Sequence, residues 1–337
     1  MYGQNMKTLV SVIIPIYNME KHLGECLDSV LRQCTDECEV VMVNDGSTDC
    51  SVSICNDYIQ RYQVKTKLIN QENKGALKSR ENGIKESTGE YVLFLDADDM
   101  FLDNALSTIL EAVKGKKPDM ILFNATSDLE TLRPRYVMPL EHGHLYSGDD
   151  RYEVFKLLCC SDVLNNLWTK CIRKDLFQRL TVIEAGQRIT NGEDLFQILE
   201  LADNAGSILY LDRILYYYRV LSGSMARNYN PLYYSSEKTV CEKRLDYAEK
   251  WGKGDELTSG TRMQICRIMR VVAMLLLVSD MPWEEVRKEM KALRGDSFFK
   301  TYYLDAHEER DKRDMLLKAP FFVMYVGRLF LKKKRMA

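Results

Sequence analysis

Along the first half of the chain, short apolar runs ending in polar loops alternate with stretches of helical periodicity. Leu9 to Ile14 is a branched run that stops at Pro15-Ile16-Tyr17-Asn18, the pattern of a buried strand halted by proline. Leu23, Cys26, Leu27, Val30 and Leu31 then recur at helical spacing. Glu39 to Val43 predicts a second strand, ending in Asn44-Asp45-Gly46-Ser47-Thr48-Asp49. Small polar residues of this kind make a turn and cap the next helix, here the one carrying Val52, Cys55, Tyr58 and Ile59. Val64 to Ile69 predicts a third strand, followed by the loop Glu72-Asn73-Lys74-Gly75 and a helix from Ala76 to Lys85 that presents Arg80. Tyr91 to Leu95 is apolar throughout, as suits a strand buried on both faces of a parallel sheet, and it breaks abruptly into Asp96, Asp98 and Asp99.

Four strands alternating with helices predict a right-handed, mostly parallel α/β sheet whose loops gather on one edge. A helix through Leu106, Ile109, Leu110 and Val113 and a strand at Met120 to Phe123 continue the pattern. Residues 128–150 are polar, carry Arg133, Arg135 and His142-Gly143-His144, and read as an irregular region with room for a short hairpin. Gly192-Glu193-Asp194 heads a helix with the apolar face Leu195, Ile198, Leu199 and Ala202. Ser207 to Leu211 and Ile214 to Arg219 read as two closing strands, and Ser222-Gly223-Ser224 as a turn. Beyond Asn230 three helices are expected, at Tyr233 to Lys250, Thr258 to Ser279 and Pro282 to Leu293. The expected division is therefore an α/β domain over residues 1–228 and a helical appendage over 229–337.

At 337 residues the chain exceeds what one core usually takes, which agrees with a large domain and a smaller one. A formal net charge of −2 gives no general pull toward nucleic acid. No run approaches the roughly 18 apolar residues of a membrane span. The apolar stretch at Leu9 to Tyr17 is broken by Pro15 and lacks a small-residue cleavage site, so it is not read as a signal peptide. Ten cysteines occur without a Cys-x-x-Cys pair, and most sit at apolar helical positions. They read as buried thiols in a reducing compartment, hence cytoplasm. The segment 319–337 joins Phe321, Phe322, Val326, Leu329 and Phe330 to Lys332-Lys333-Lys334-Arg335. It is a candidate for peripheral contact with the inner face of a membrane, against the plainer reading of a docked helix with a solvated basic end.

The chemistry concentrates at Asp96, Asp98 and Asp99. Unpaired carboxylates cannot stay in a core, because desolvating a charge costs several kcal/mol or more. They must emerge at the carboxyl end of the strand, where open α/β sheets bind ligands. Three like charges so close repel unless a cation joins them. A divalent ion, Mn²⁺ or Mg²⁺, with few protein ligands and the rest supplied by water and phosphate, fits that requirement. An acidic loop that caps the following helix is the structural alternative.

Taken together, the loops resemble the family 2 glycosyltransferases, inverting nucleotide-sugar enzymes of the GT-A fold, over roughly residues 8–226. The resemblance rests on Ser11-Val-Ile-Ile-Pro15-Ile-Tyr17-Asn18, Val43-Asn-Asp45-Gly46-Ser47-Thr48-Asp49, Asn73-Lys-Gly75 with Arg80, and Asp96-Ala-Asp98-Asp99. It continues in Trp168-Thr-Lys170, Gly192-Glu193-Asp194 and Tyr217-Tyr218-Arg219 through Ser224. It implies a GT-A, Rossmann-like domain that moves a sugar from a UDP-sugar to a saccharide or lipid-linked oligosaccharide in cell-surface polysaccharide biosynthesis. Pro15, Ile16 and Tyr17 would line the uracil pocket, Asp45 would accept from the base, and Arg80 would support the nucleotide. Asp96 would face the ribose or the metal, and Asp98 would hold the metal on the diphosphate. Asp194 would be the base, with Glu193 its competitor, and Trp168 and Lys170 would lie on the acceptor side. A nucleotide-sugar-binding module without catalysis is the alternative function; donor sugar, linkage and oligomeric state are not legible.

Overall fold

The computed structural model of the chain describes residues 7–181, 189–221, 229–306 and 312–336. It divides into two compact units. The first comprises Met1–Val154, Val163–Val182 and Gln197–Val220; the second comprises Phe155–Asp162, Ile183–Phe196 and Leu221–Ala337. The helical region expected from residue 229 onward is thus the bulk of the second unit, which also takes in two earlier stretches.

The first unit is built on a mixed sheet with nine strands among the described residues: β1 (Val10–Ile16), β2 (Cys38–Asp45), β3 (Thr66–Gln71), β4 (Tyr91–Phe94), β5 (Met100–Phe101), β6 (Met120–Thr126), β7 (Leu145–Ser147), β8 (Lys170–Arg173) and β9 (Ser207–Tyr217). Their order is β3-β2-β1-β4-β8-β6-β9-β5, with β7 beside β9. The four expected strands form its parallel part, β3-β2-β1-β4. Every residue of β2 and β6 is buried, as the unbroken apolar runs require of strands covered on both faces. The helices α1 (Leu23–Leu31), α2 (Ser51–Arg61), α3 (Ala76–Glu86) and α4 (Ala105–Lys116) alternate with these strands, and α5 (Tyr152–Cys160) and α6 (Glu193–Asn204) follow later in the chain. At Gly83 of α3 an added Cβ would collide with the Ile13 side chain of β1, so glycine is what lets α3 lie this close to the sheet.

Pro15 does not end β1, which runs to Ile16 opposite Asn44. The Ile13 carbonyl accepts from the Leu95 amide, and the β4 ladder stops at Phe94. Two residues on, Pro15 faces the same side beyond that ladder's end, so its missing N–H forfeits no bond. The sheet reverses at β8, antiparallel to both β4 and β6, a strand the pattern did not reveal. Only four residues long, it is bounded by Lys170 and Arg173, which mask its apolar centre. The two strands expected at 207–219 are one, β9. Its register against β6 jumps from Phe123–Leu211 to Asn124–Ile214, so the exposed pair Asp212 and Arg213 bulges out while the ladder resumes. Asn124 Nδ2 steadies the bulge by donating to Asp212 at 2.7 Å. Residues 128–150 make no hairpin; their one strand, β7, pairs antiparallel to β9.

In the second unit, α7 (Tyr233–Trp251), α8 (Asp255–Val278) and α9 (Trp283–Gly295) fall close to their expected positions. Ile265, Met269, Val272, Leu276 and Leu277 of α8 form the centre of an apolar core with Val286, Met290, Phe299 and Tyr303. Gly254, at φ +116°, makes the break between α7 and α8 that only glycine adopts without strain. The helix Phe321–Met336 lies within the expected tail. Among the described residues no helix is long and apolar enough to cross a membrane. The ten cysteines are free thiols, seven of them buried. The expected turn at Ser222-Gly223-Ser224 lies outside the described residues.

Glu39 is a carboxylate inside β2 that ties three segments together. It accepts from the Ser11 hydroxyl at 2.6 Å, the Thr88 hydroxyl at 2.9 Å, the Gly89 amide at 3.2 Å and the Thr88 amide, with Lys65 Nζ at 3.7 Å. Burial opposes its ionisation, but the Ser11 and Thr88 hydrogen bonds and the Lys65 charge outweigh that and hold its pKa below the ordinary glutamate value. Glu39→Ala strands these donors and is expected to cost about 2–3 kcal/mol. A carboxyl whose folded pKa is depressed stabilises above its unfolded pKa, and that contribution is lost as pH falls through the folded value. The gap between wild-type and variant urea midpoints should therefore be widest at neutral pH and shrink below about pH 4; equal midpoints at neutral pH would contradict this role.

Candidate active site

The loops after β1, β2, β3 and β4 do converge. Asn18, held at φ +53°, donates its backbone amide to Ser47 Oγ at 3.1 Å and accepts from the Thr48 amide at 2.8 Å. Met19 N–H reaches Ser51 Oγ at 2.9 Å, and Glu20 N–H reaches Asp49 at 3.0 Å. The Asn44 side chain spans to Asn70 at 2.9 Å and accepts the Ser47 amide at 3.0 Å. Beside this frame Tyr17 stands 47% exposed, whereas Ile16 is buried and Pro15 half-buried. Of the three residues expected at the uracil, only the tyrosine is exposed.

Asp45 is buried at the end of β2. Its carboxylate accepts from the Lys74 amide at 2.8 Å, the Gly75 amide at 2.8 Å and Gln71 Nε2 at 2.7 Å. Those amides precede α3 directly, so Asp45 acts as a cap supplied from another strand, satisfying donors that a helix start leaves open. Two of these bonds fall on Oδ1 and one on Oδ2. A carboxylate has about four acceptor positions, so Oδ2 keeps one for a further donor.

From the capped helix Arg80 reaches under the β4 edge. It is buried, its guanidinium bonds Asp96 Oδ1 at 3.1 Å, and it stands 5.9 Å from the Phe94 ring centroid. Arg80 is thus not a solvated residue of its helix. Asp99, only 1% exposed, turns away from its neighbours. It accepts from the Tyr216 hydroxyl at 2.7 Å and the Arg219 amide at 2.8 Å. Burial, then the charges of Asp96 and Asp98, push its pKa up to about 8 against those two hydrogen bonds. Arg219 also donates from Nε to the Asp98 carbonyl at 2.8 Å and pairs with Glu25, and the Asp96 amide donates to Tyr216 at 3.2 Å. The carboxylate loop is thereby fastened to β9 and α1.

Asp98 remains. It is part-exposed, and among the described residues no side chain donates a hydrogen bond to it. Burial and the charge of Asp96 raise its pKa above the ordinary aspartate value. A divalent cation would reverse that penalty, so the residues fit one. Among the described residues no group of three potential ligands clusters, so Asp98 would be the main protein ligand to such an ion, with phosphate and water supplying the rest.

Trp168 is buried rather than displayed. Its ring stacks on Tyr216 at 4.6 Å and Tyr218 at 5.6 Å between centroids, and Arg135 lies 4.1 Å over Tyr218. Phe101 meets Tyr216 edge-on at 5.8 Å. Lys170 is buried too, its ammonium donating to the Asn166 carbonyl. Trp168 therefore braces the frame of the carboxylate loop through Tyr216. Tyr216 carried no sequence signal: its role depends on a hydroxyl meeting a carboxylate 117 positions away.

Glu193 and Asp194 belong to the second unit's share of the chain and open α6 (Glu193–Asn204). Gly192, at φ +79°, leads into them and its carbonyl accepts the Phe196 amide at 3.0 Å. Within this unit the turn is pinned to α7. Thr190 N–H donates to Ser236 Oγ at 3.0 Å, and Asn191 bonds Glu237. Lys243 Nζ lies 3.6 Å over the Phe196 ring. Burial pushes the pKa of Glu237 up to about 7, against the charge of Arg244 and the Asn191 bond.

Comparison with known proteins gives the same picture. Residues 11–162 match the family described as Glycosyl transferase family 2. The chain is 30% identical over 223 residues to the glycosyltransferase GlyA of Streptococcus pneumoniae, covering 65% of this chain and 31% of that protein. It is 28% identical over 267 residues to the uncharacterized glycosyltransferase EpsJ of Bacillus subtilis, covering 78% of this chain and 76% of that one. The fold is that of S. aureus TarS 1–349, solved in complex with UDP-GlcNAc, at TM-score 0.62 and 21% identity over 97% of this chain and 91% of that one.

Tyr216→Phe removes the only side-chain hydroxyl that the described structure gives Asp99. Leaving a buried carboxyl short of one donor should cost about 1–3 kcal/mol. The thermal midpoint should fall with the far-ultraviolet circular dichroism unchanged; an unaltered midpoint would show that the bond does not hold this loop.

Proposed function

Because the chain belongs to glycosyl transferase family 2, its match lying in residues 11–162, we propose that it transfers a sugar from a UDP-sugar, with inversion, to a saccharide or lipid-linked acceptor in polysaccharide biosynthesis. One observation carries the reading. The buried Arg80 pairs with the part-exposed Asp96 at the edge where four loops meet, and Asp98 stands beside it with a raised pKa and no side-chain donor among the described residues. Support for the donor comes from TarS, which has this fold and binds UDP-GlcNAc.

In this reading Tyr17 covers the uracil from its exposed position, and the spare Oδ2 position of Asp45 takes the base N–H. Arg80 fixes Asp96 toward the ribose or metal side. Asp98 would hold Mn²⁺ or Mg²⁺; the ion supplies charge neutralisation on a departing diphosphate without proton transfer. Asp194 sits in the first turn of α6, where the helix dipole favours a carboxylate, and takes the proton of the acceptor hydroxyl. One base suffices for a single displacement from the opposite face; retention by double displacement would need a second carboxylate as nucleophile. Glu193 is the competing base. Trp168, buried and stacked on Tyr216, and Lys170, also buried, would lie on the acceptor side of the site.

A panel of UDP-sugars and acceptors, with UDP release and product mass as readouts, tests the proposal. Asp194→Asn should lower turnover about 10²- to 10⁴-fold while calorimetry finds UDP binding with Mn²⁺ unchanged. Asp98→Ala should weaken Mn²⁺-dependent UDP binding and turnover together, each by about tenfold or more. Full turnover in either variant removes that residue's role. A wild type that binds UDP but transfers nothing across the panel would favour a binding module.

A further inference from the structure

The helix Phe321–Met336 of the second unit inverts the usual arrangement of a surface helix. Between Phe321 and Leu331 its one charged residue is Arg328. Arg328 points inward and is 6% exposed. Its guanidinium donates to the carbonyls of Ser279 at 2.8 Å and Met281 at 2.6 Å, just past α8, and lies 5.8 Å over the Trp283 ring. Met324 is fully buried beside it in the apolar core. The outer face carries Phe322 at 78% exposure and Phe330 at 71%, with Val326 and Leu329 also exposed between them. Positions 322, 326, 329 and 330 share one face of a helix. In water the polar face of an amphipathic helix turns outward; here charge is inside and a contiguous apolar ridge is outside. Scattered exposed leucines need no account, but a ridge of this kind does.

The sequence continues at once into Lys332-Lys333-Lys334-Arg335, four cations in a chain whose net charge is −2. We propose that this helix binds an anionic phospholipid surface, with Phe322, Val326, Leu329 and Phe330 entering the boundary between headgroups and acyl chains and the four cations drawing it to the negative headgroups. Charge decides the occupant. A second copy docked on the same ridge supplies no opposite charge, since a parallel pair would bring two cation runs together and an antiparallel pair would set each run beside the uncharged start of the other helix, whereas an anionic bilayer offers the opposite charge beside the apolar layer. The inference is independent of the transferase reading, and either can fail without the other.

The test is co-sedimentation of the full chain with vesicles of phosphatidylcholine alone or mixed with phosphatidylglycerol. Binding is expected to the mixed vesicles, to weaken at least about tenfold when salt rises well above physiological strength, and to weaken by at least about tenfold in a Leu329→Ser, Phe330→Ser double variant. Both side chains are exposed, so the variant should keep the wild-type unfolding midpoint. A Lys332→Glu, Lys333→Glu variant should lose the preference for phosphatidylglycerol. Three results would overturn the proposal: vesicle binding absent in the wild type, vesicle binding equal in wild type and the apolar double variant, or a concentration-dependent dimer in sedimentation velocity, abolished by the same variant, with no vesicle binding.

Discussion

The structure of the first unit depends on what is done with three carboxylates in four positions at the end of a fully buried strand. Left alone, Asp96, Asp98 and Asp99 would repel one another beside a medium that disfavours charge. The fold gives each a different fate. Asp99 is drawn into the protein and bonded by the Tyr216 hydroxyl and the Arg219 amide. Asp96 receives the buried guanidinium of Arg80. Asp98 receives no side-chain donor among the described residues. The arrangement propagates backward along the chain, because Arg80 is positioned by α3 and the start of α3 is capped from β2 by Asp45. One strand end therefore dictates the chemistry of the next, and the electrostatic penalty left on Asp98 is what a cation would relieve.

Much of this was legible because it is written in local pattern. Branched runs that stop at small polar residues located β1 to β4, and the polar stops located the loops that meet. What escaped was set by partners distant in sequence. Glu39 looks like an exposed strand residue until Ser11 and Thr88 close on it. The short β8 hides between Lys170 and Arg173, since burial of Lys170 depends on the Asn166 carbonyl and not on its own hydrophobicity. The two strands read at 207–219 are one because a bulge at Asp212 and Arg213 lets polar residues leave the ladder without ending it. Trp168 reads as a binding aromatic in any linear pattern; only the stack with Tyr216 and Tyr218 shows it bracing the carboxylate loop.

The helical region, which the family resemblance does not reach, is more than an attachment. The turn leading into Glu193 and Asp194 is held to α7 through Ser236 and Glu237, and an added Cβ on Gly192 would come within 3.0 Å of Val240 on the same helix. A general base contributes only when its carboxylate is held in place as the proton departs. Two residues from a positive-φ glycine, at a helix start, that order must come from outside the turn. Here it comes from α7, whose own place is set by the apolar core that includes Cys241, Ile265 and Met269. Packing in the second unit is thus the physical support of the candidate base.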